Sequence, residues 1–166
     1  MKPPRILGFS LSIILLMFCS GALRASTPHD NLPSRLREFL DMYARKDIVG
    51  LMSLVGDDNI VVMGSDLSEV CTSRPQVEEL LRNDFRLWDS ASFGPLSRVF
   101  IHQSRNTISA FFDVPFTMRR GGNEQTVVVR FATVWSRTAL GLKLIQSMNT
   151  VPTVGQSAKD LLAPKR

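Results

Sequence analysis

Beyond Pro95 the apolar residues of this chain recur at every second position, whereas before it they recur at the three-and-four spacing of a helix face. From Asn106 to Arg119, the residues Ile108, Ala110, Phe112, Val114, Phe116 and Met118 alternate with Thr107, Ser109, Asp113, Thr117 and Arg119. That alternation predicts a long strand with one dry face. Arg120-Gly121-Gly122-Asn123 supplies a hairpin loop, and Gln125 to Arg137 returns with Val127, Val129, Phe131, Thr133 and Trp135 on one face. After a turn at Thr138 to Gly141, the residues Leu142, Leu144, Gln146 and Met148 extend the pattern, and Leu96 to Gln103 forms a strand ahead of the hairpin. Pro115 inside the longest strand implies a bulge or a locally unpaired edge, which bends a sheet so that it can enclose volume.

The first half of the chain reads as helices. Leu36, Phe39, Leu40 and Tyr43 make one stripe, with Arg35, Arg37, Glu38, Asp41 and Arg45 on the wet face. Asp47 caps a shorter helix bearing Ile48, Leu51, Leu54 and Val55, and Gly56 stops it. Ile60 to Met63 is a strand, Gly64-Ser65-Asp66 a turn, and Glu69 to Thr72 a brief second strand. Ser73 with Gln76 fits a capping box, and Pro75 is tolerated in a first turn. The helix that follows carries Val77, Leu80, Leu81, Phe85 and Trp88 on one stripe, with its end marked by Ser90, Ser92, Gly94 and Pro95. Asp84 falls on the same stripe. A carboxylate there must be satisfied inside the fold or face a cavity, because burying it unpaired costs several kcal/mol. Helices followed by an antiparallel meander specify an α+β fold.

Residues 1–25 read as a signal peptide, with Lys2 and Arg5 ahead of an apolar run from Ile6 to Phe18 and small residues at Ser20, Gly21, Ala22 and Ala25. The run is shorter than the roughly 20 residues that span a bilayer, so the expectation is cleavage near Ala25 or Ala22 and a periplasmic or secreted product with no membrane attachment. Without the leader the 20 basic residues fall to 17 against 15 acidic ones, and the formal charge falls from +5 to +2. The remaining arginines are scattered among acids, which argues against a nucleic-acid partner. Cys71 would be the only mature cysteine, so no disulfide forms within the chain.

The order of helix, helix, strand, turn, helix and meander resembles the SnoaL-like branch of the nuclear transport factor 2-like superfamily. The resemblance covers about Leu32 to Thr150 and rests also on Gly64-Ser65-Asp66, Glu69-Val70 and the Arg74 to Trp88 helix ending in Asn83-Asp84-Phe85-Arg86-Leu87-Trp88. Ser73 stands where that branch usually has glycine. The resemblance implies N-terminal helices packed in the concave side of a strongly curved, mainly antiparallel sheet, a cystatin-like cone with a pocket. It divides the chain into the leader, a polar lead at 26–31, the domain at 32–150 and a C-terminal tail at 151–166. It does not imply one activity, because the same fold serves isomerases, dehydratases, cyclases, transport factors and assembly domains.

The expected pocket residues are Trp88, Phe112, Phe116, Phe131, Thr133, Trp135, Gln146 and Met148, which alternation or helical spacing turns inward. Asp84 is the candidate general acid or base, with His102 and Tyr43 as weaker candidates. Arg130 is a candidate partner for Asp84, although its alternation favours the opposite face. Cys71 lacks a local activating group and reads as an inert buried thiol. The histidines and cysteine have no metal-ligand spacing, and no cofactor is expected. Ketosteroid isomerases pair a base aspartate with a tyrosine and a protonated aspartate, and the dehydratases of this fold use tyrosines with a histidine-aspartate pair; neither set carries over to a chain with one tyrosine. The leading expectation is an exported protein that binds a small hydrophobic or amphipathic molecule. An isomerase, lyase or cyclase built on Asp84 is the alternative, and a homodimer formed through the outer sheet face, where Phe111 is the apolar hint, is a further one.

Overall fold

A computed structural model describes residues 31–57 and 59–153. The leader, most of the polar lead and most of the C-terminal tail lie outside the described residues. Three helices, α1 (Leu32–Ala44), α2 (Ile48–Leu54) and α3 (Arg74–Asp84), are combined with strands β1 (Val61–Met63), β2 (Val70–Cys71), β3 (Ser90–Phe93), β4 (Ser97–Gln103), β5 (Thr107–Arg120), β6 (Asn123–Thr138) and β7 (Gly141–Thr150). The strands form one curved sheet in the order β2-β1-β7-β6-β5-β3, with β4 also paired to β5. Only β1 and β7 run parallel. The fold is the α+β arrangement expected, with its helices against one face of a mainly antiparallel sheet.

Local chemistry accounts for most boundaries. The Asp47 side chain accepts from Gly50 N at 2.8 Å and caps α2. Gly121 and Gly122 both have positive φ, 54° and 83°, which a two-residue hairpin turn between twisted strands requires. Ser73 departs from the expected box, since its side chain makes no cap bond. Gln76 instead reaches back to accept from Thr72 N at 2.8 Å, which ties the chain entering α3 to its first turn. Arg35, expected on the wet face of α1, is buried and pairs with Glu38 at 2.6 Å.

Pro115 does not break its strand. The β5–β6 register runs unbroken from Thr107↔Ser136 to Arg120↔Asn123. On its other edge β5 pairs with β4 up to Asp113 and with β3 from Phe116 onward, so Pro115 sits in the gap between two partners, where no neighbour needs an N–H. Its carbonyl there accepts from Gly94 N at 2.9 Å. The bulges lie elsewhere, one in β4 between Ser97 and Phe100, with Arg98 at φ 49°, and one opposite Val134 and Trp135.

The second bulge corrects the register of β7. Trp135 pairs with Leu144 and Val134 with Gln146, so β7 carries one extra residue, Ile145. A single inserted residue sends every later side chain to the opposite face. Leu142 and Leu144 point inward as expected, but Gln146 and Met148 are exposed on the outer face, and Ser147 and Asn149 take the inner one.

Helix α3 also ends earlier than its stripe suggests. The stripe from Val77 continues geometrically to Trp88, yet the helix stops at Asp84. Lys46, at φ 60° in the α1–α2 turn, donates to the carbonyls of Phe85 at 2.9 Å and Trp88 at 2.5 Å. Asp89 N donates to Arg119 O and its carboxylate accepts from Gly121 N, which commits the chain to β3. Tertiary partners thus take the backbone groups that another helical turn would have used.

Candidate functional site

A cavity of about 240 Å³ opens between the helices and the inner face of the sheet. Alpha helix α1 contributes Phe39 and Tyr43, and α3 with its following turn contributes Val77, Leu80, Leu81, Asp84, Leu87 and Trp88. The sheet supplies Phe93, Phe116, Met118, Val127, Val129, Phe131, Leu144, Ser147 and Asn149. Gly64, Ser65 and Glu69, from the turn between β1 and β2, close one side. That turn is closed by local hydrogen bonds: Gly64 N donates to Glu69 O at 2.8 Å, and the Glu69 carboxylate accepts from Asp66 N at 3.0 Å.

The wall is mostly apolar, and its aromatic rings gather around Tyr43. Tyr43 sits among Phe85, Trp88, Phe93 and Phe116 with ring centroids 5.1 to 6.1 Å away, and Phe93 stacks on Phe116 at 4.7 Å. Against this apolar wall stands one strong polar contact. The Tyr43 hydroxyl donates to Asp84 Oδ2 at 2.7 Å. Burial raises the Asp84 carboxyl above its ordinary value, the Tyr43 donor opposes the rise, and the Glu69 charge adds to it. The Tyr43 hydroxyl is itself pushed well up, by burial first and then by the charge of Asp84. Trp88, only 4% exposed, keeps its indole N–H buried with no acceptor among the described residues.

Of the residues anticipated from sequence, Asp84, Tyr43, Trp88, Phe116 and Phe131 meet at this cavity. Phe112, Thr133 and Trp135 do not line it. They face inward, as alternation requires, but Phe112 stacks on Phe131 at 5.2 Å level with it in the sheet, and Thr133 and Trp135 lie farther from the Gly121-Gly122 turn, where Trp135 Nε1 donates to Thr133 Oγ1 at 3.0 Å and Thr133 Oγ1 to Ala110 O at 3.3 Å. Gln146 and Met148 are removed by the β7 bulge. His102 is exposed on β4 and is not part of the wall. Arg130 is not the partner of Asp84; on the outer face it donates to both oxygens of Asp113 at 2.8 and 3.1 Å and holds that carboxyl below its ordinary value. Cys71 is buried with its thiol pushed up by burial, as expected of an inert cysteine. Among the described residues no cluster of His, Cys, Asp or Glu could hold a metal ion.

Sequence reasoning missed Glu69, Phe93, Ser147 and Asn149 as wall residues. Ala91 and Phe93 do alternate with serines, which is a weak strand signal. The inward turn of Ser147 and Asn149 depends on the bulge and has no such signal.

The match to a family model decides the relationship: residues 33–153 match the SnoaL-like domain. The chain belongs to the SnoaL-like domain family. Among solved structures, this SnoaL-like chain is similar to a nuclear transport factor 2 (NTF2-like) superfamily protein from Salmonella enterica serovar Typhimurium, with TM-score 0.68, 17% identity and coverage of 78% of this chain and 96% of that one. It is also similar to a protein from Streptomyces avermitilis provisionally named a dehydratase of the NTF2-like family, with TM-score 0.66, 15% identity and coverage of 74% and 95%. An NTF2-like protein with a cystatin-like fold from Novosphingobium aromaticivorans matches with TM-score 0.60, 17% identity and coverage of 80% and 96%. At these identities the likeness concerns the fold. No curated protein sequence matches the chain.

The raised Asp84 carboxyl has a consequence for stability. A folded state that holds a proton more tightly than the unfolded state loses stability as pH rises from the unfolded value, near 3.8, through the raised folded one. Asparagine can accept the Tyr43 hydrogen bond without carrying charge. Asp84→Asn is therefore expected to keep or raise the melting temperature at neutral pH and to flatten its decline with pH in that window. Thermal melts across a pH series check this, and a clear loss of stability would show that the charge itself ties the helix in place.

Proposed function

We propose that the protein is an exported binder of a small hydrophobic or amphipathic molecule, held in the cavity between α1, α3 and the sheet. The observation that carries this reading is an apolar cavity with few polar groups, among them the hydrogen-bonded pair Tyr43 and Asp84, the usual profile of a small-molecule site. Native mass spectrometry of gently purified protein is expected to reveal a co-purified ligand. An apolar fluorescent dye is expected to bind the emptied protein, and Leu81→Trp, which adds bulk to the wall, to weaken it at least about tenfold. A dye that binds the variant as well as the parent would sink the reading. Export is supported by the basic start and short apolar run of residues 1–25. Intact mass of the envelope form beginning at Ser26 or Leu23 is the check.

A second reading is favoured by the raised Asp84 carboxyl beside a tyrosine hydroxyl in an apolar wall. That arrangement suits a general acid or base for an isomerase, lyase or cyclase. Turnover of small enones or hydroxyketones that Asp84→Asn abolishes would support it, and no turnover across the panel would count against it.

The outer sheet face supports a partner reading, a second copy of this chain. Register places Phe100, Phe111, Ala132, Met148, Met63 and Val70 side by side across six strands, and Phe100, Phe111 and Met148 are 67%, 52% and 50% exposed. The charges beside that row, Asp113 with Arg98 and Arg130, are already paired with one another. A copy laid on this face would bury apolar surface without stranding those charges. Sedimentation is expected to find a dimer that Phe111→Lys dissociates; a monomeric parent protein at tens of micromolar would end this reading.

A further inference from the structure

The charge of the cavity wall is one-sided. Asp84 and Glu69 both line the cavity, and no Lys, Arg or His is among its lining residues. A second, outer hollow shares Glu69, Leu80, Asp84 and Leu87 with it and adds Glu79, again with no basic residue in its lining. The two carboxylates therefore stand where the outer hollow meets the apolar chamber. Two basic side chains reach the backbone beside this wall: Lys46 donates to the carbonyls of Phe85 and Trp88, and Arg120 donates to the Leu87 carbonyl at 3.4 Å. The field in this corner is negative enough to reach its neighbours: the charges of Glu69, Asp84 and Glu79 all push the Cys71 thiol up, after burial.

From this geometry we infer that the cavity takes an amphipathic organic cation, a protonated amine on an apolar body, with the ammonium between Asp84 and Glu69 and the body among Phe116, Phe131 and Trp88. The inference rests on the ligand-binding reading above and narrows it to a chemical class. Tyr43 occupies Asp84 Oδ2, and each carboxylate oxygen can accept more than one bond, so acceptor capacity remains for ammonium N–H groups. Bringing a cation between two acids relieves their mutual repulsion, whereas an anionic ligand would add to it. The aromatic faces around the acids attract a cation as well; Lys46 Nζ already lies 6.0 Å from the centre of the Trp88 ring. A metal ion is a poorer fit, because these acids do not form a cluster of three potential ligands among the described residues.

Three probes with one apolar body and different heads test this: octylamine, octanol and octanoate, each competing with a bound apolar dye at neutral pH. Octylamine is expected to bind at least about tenfold more tightly than octanol, and octanoate to bind most weakly. Asp84→Asn is expected to weaken octylamine far more than octanol and so to remove most of the octylamine advantage, with Glu69→Gln acting in the same direction should the first variant fold poorly. Equal binding of all three heads, or preference for octanoate, would overturn the cationic class while leaving the pocket as a ligand site. Failure of the dye and of all three probes to bind would overturn the ligand-binding reading and this inference with it.

Discussion

Replacing Trp135 by alanine is expected to lower the folding free energy by about 3 to 5 kcal/mol, as large aromatic truncations in filled cores do. Trp135 is fully buried, pairs across the sheet with Ile108 and Leu144, and donates its indole N–H to Thr133. Truncation removes the packing and strands Thr133 Oγ1 without its donor. Because Trp135 lies outside the cavity wall, the dye affinity of the molecules that remain folded should not change. Urea denaturation with a parallel dye titration separates the two quantities. A loss below about 1 kcal/mol together with weakened dye binding would place Trp135 at a cavity and not in filled core.

Arg74→Ala is the second large effect, at about 2 to 3 kcal/mol, in the range of bonds made by charged donors. Arg74 opens α3, and its guanidinium reaches across to the end of α2, donating to the carbonyls of Met52 at 3.0 Å, Val55 at 2.6 Å and Gly56 at 3.3 Å. The last carbonyls of a helix have no partner within it, and Val55 and Gly56 are buried here. The same side chain lies 3.4 Å from Asp57, but that carboxylate is almost fully exposed and contributes little. Arg74→Lys is expected to recover only part of the loss, since an ammonium gathers its donors on one nitrogen whereas the guanidinium reaches these carbonyls from two. Chemical denaturation of both variants checks the order. A lysine variant as stable as the parent would mean that charge near the helix end matters and the fork does not.

Much of this protein was determined by sequence alone, and the reasons are local. A change of period from 3.6 to 2 at Pro95 separates helices from meander, because side chains on either element must keep one face dry. Gly121-Gly122 sets the hairpin, Asp47 caps α2, and Asp84 on an apolar stripe marks the place where a polar group meets a cavity. Alternation also assigned Phe116 and Phe131 to the inner face correctly. Tertiary structure decided what depends on partners distant in sequence. Alternation names a face but not a depth, so it could not tell Phe116, at a cavity, from Phe112 and Trp135, in filled core on the same face. The one-residue bulge at Ile145 exchanged Gln146 and Met148 for Ser147 and Asn149, because parity along a strand survives only as long as its register. Helix α3 stopped at Asp84 because Lys46, 39 residues away from Phe85, takes carbonyls beyond it. The approach of Tyr43 to Asp84 spans 41 residues; it exists because packing brings the C-terminal ends of α1 and α3 to one corner of the cavity, a juxtaposition that no local pattern encodes.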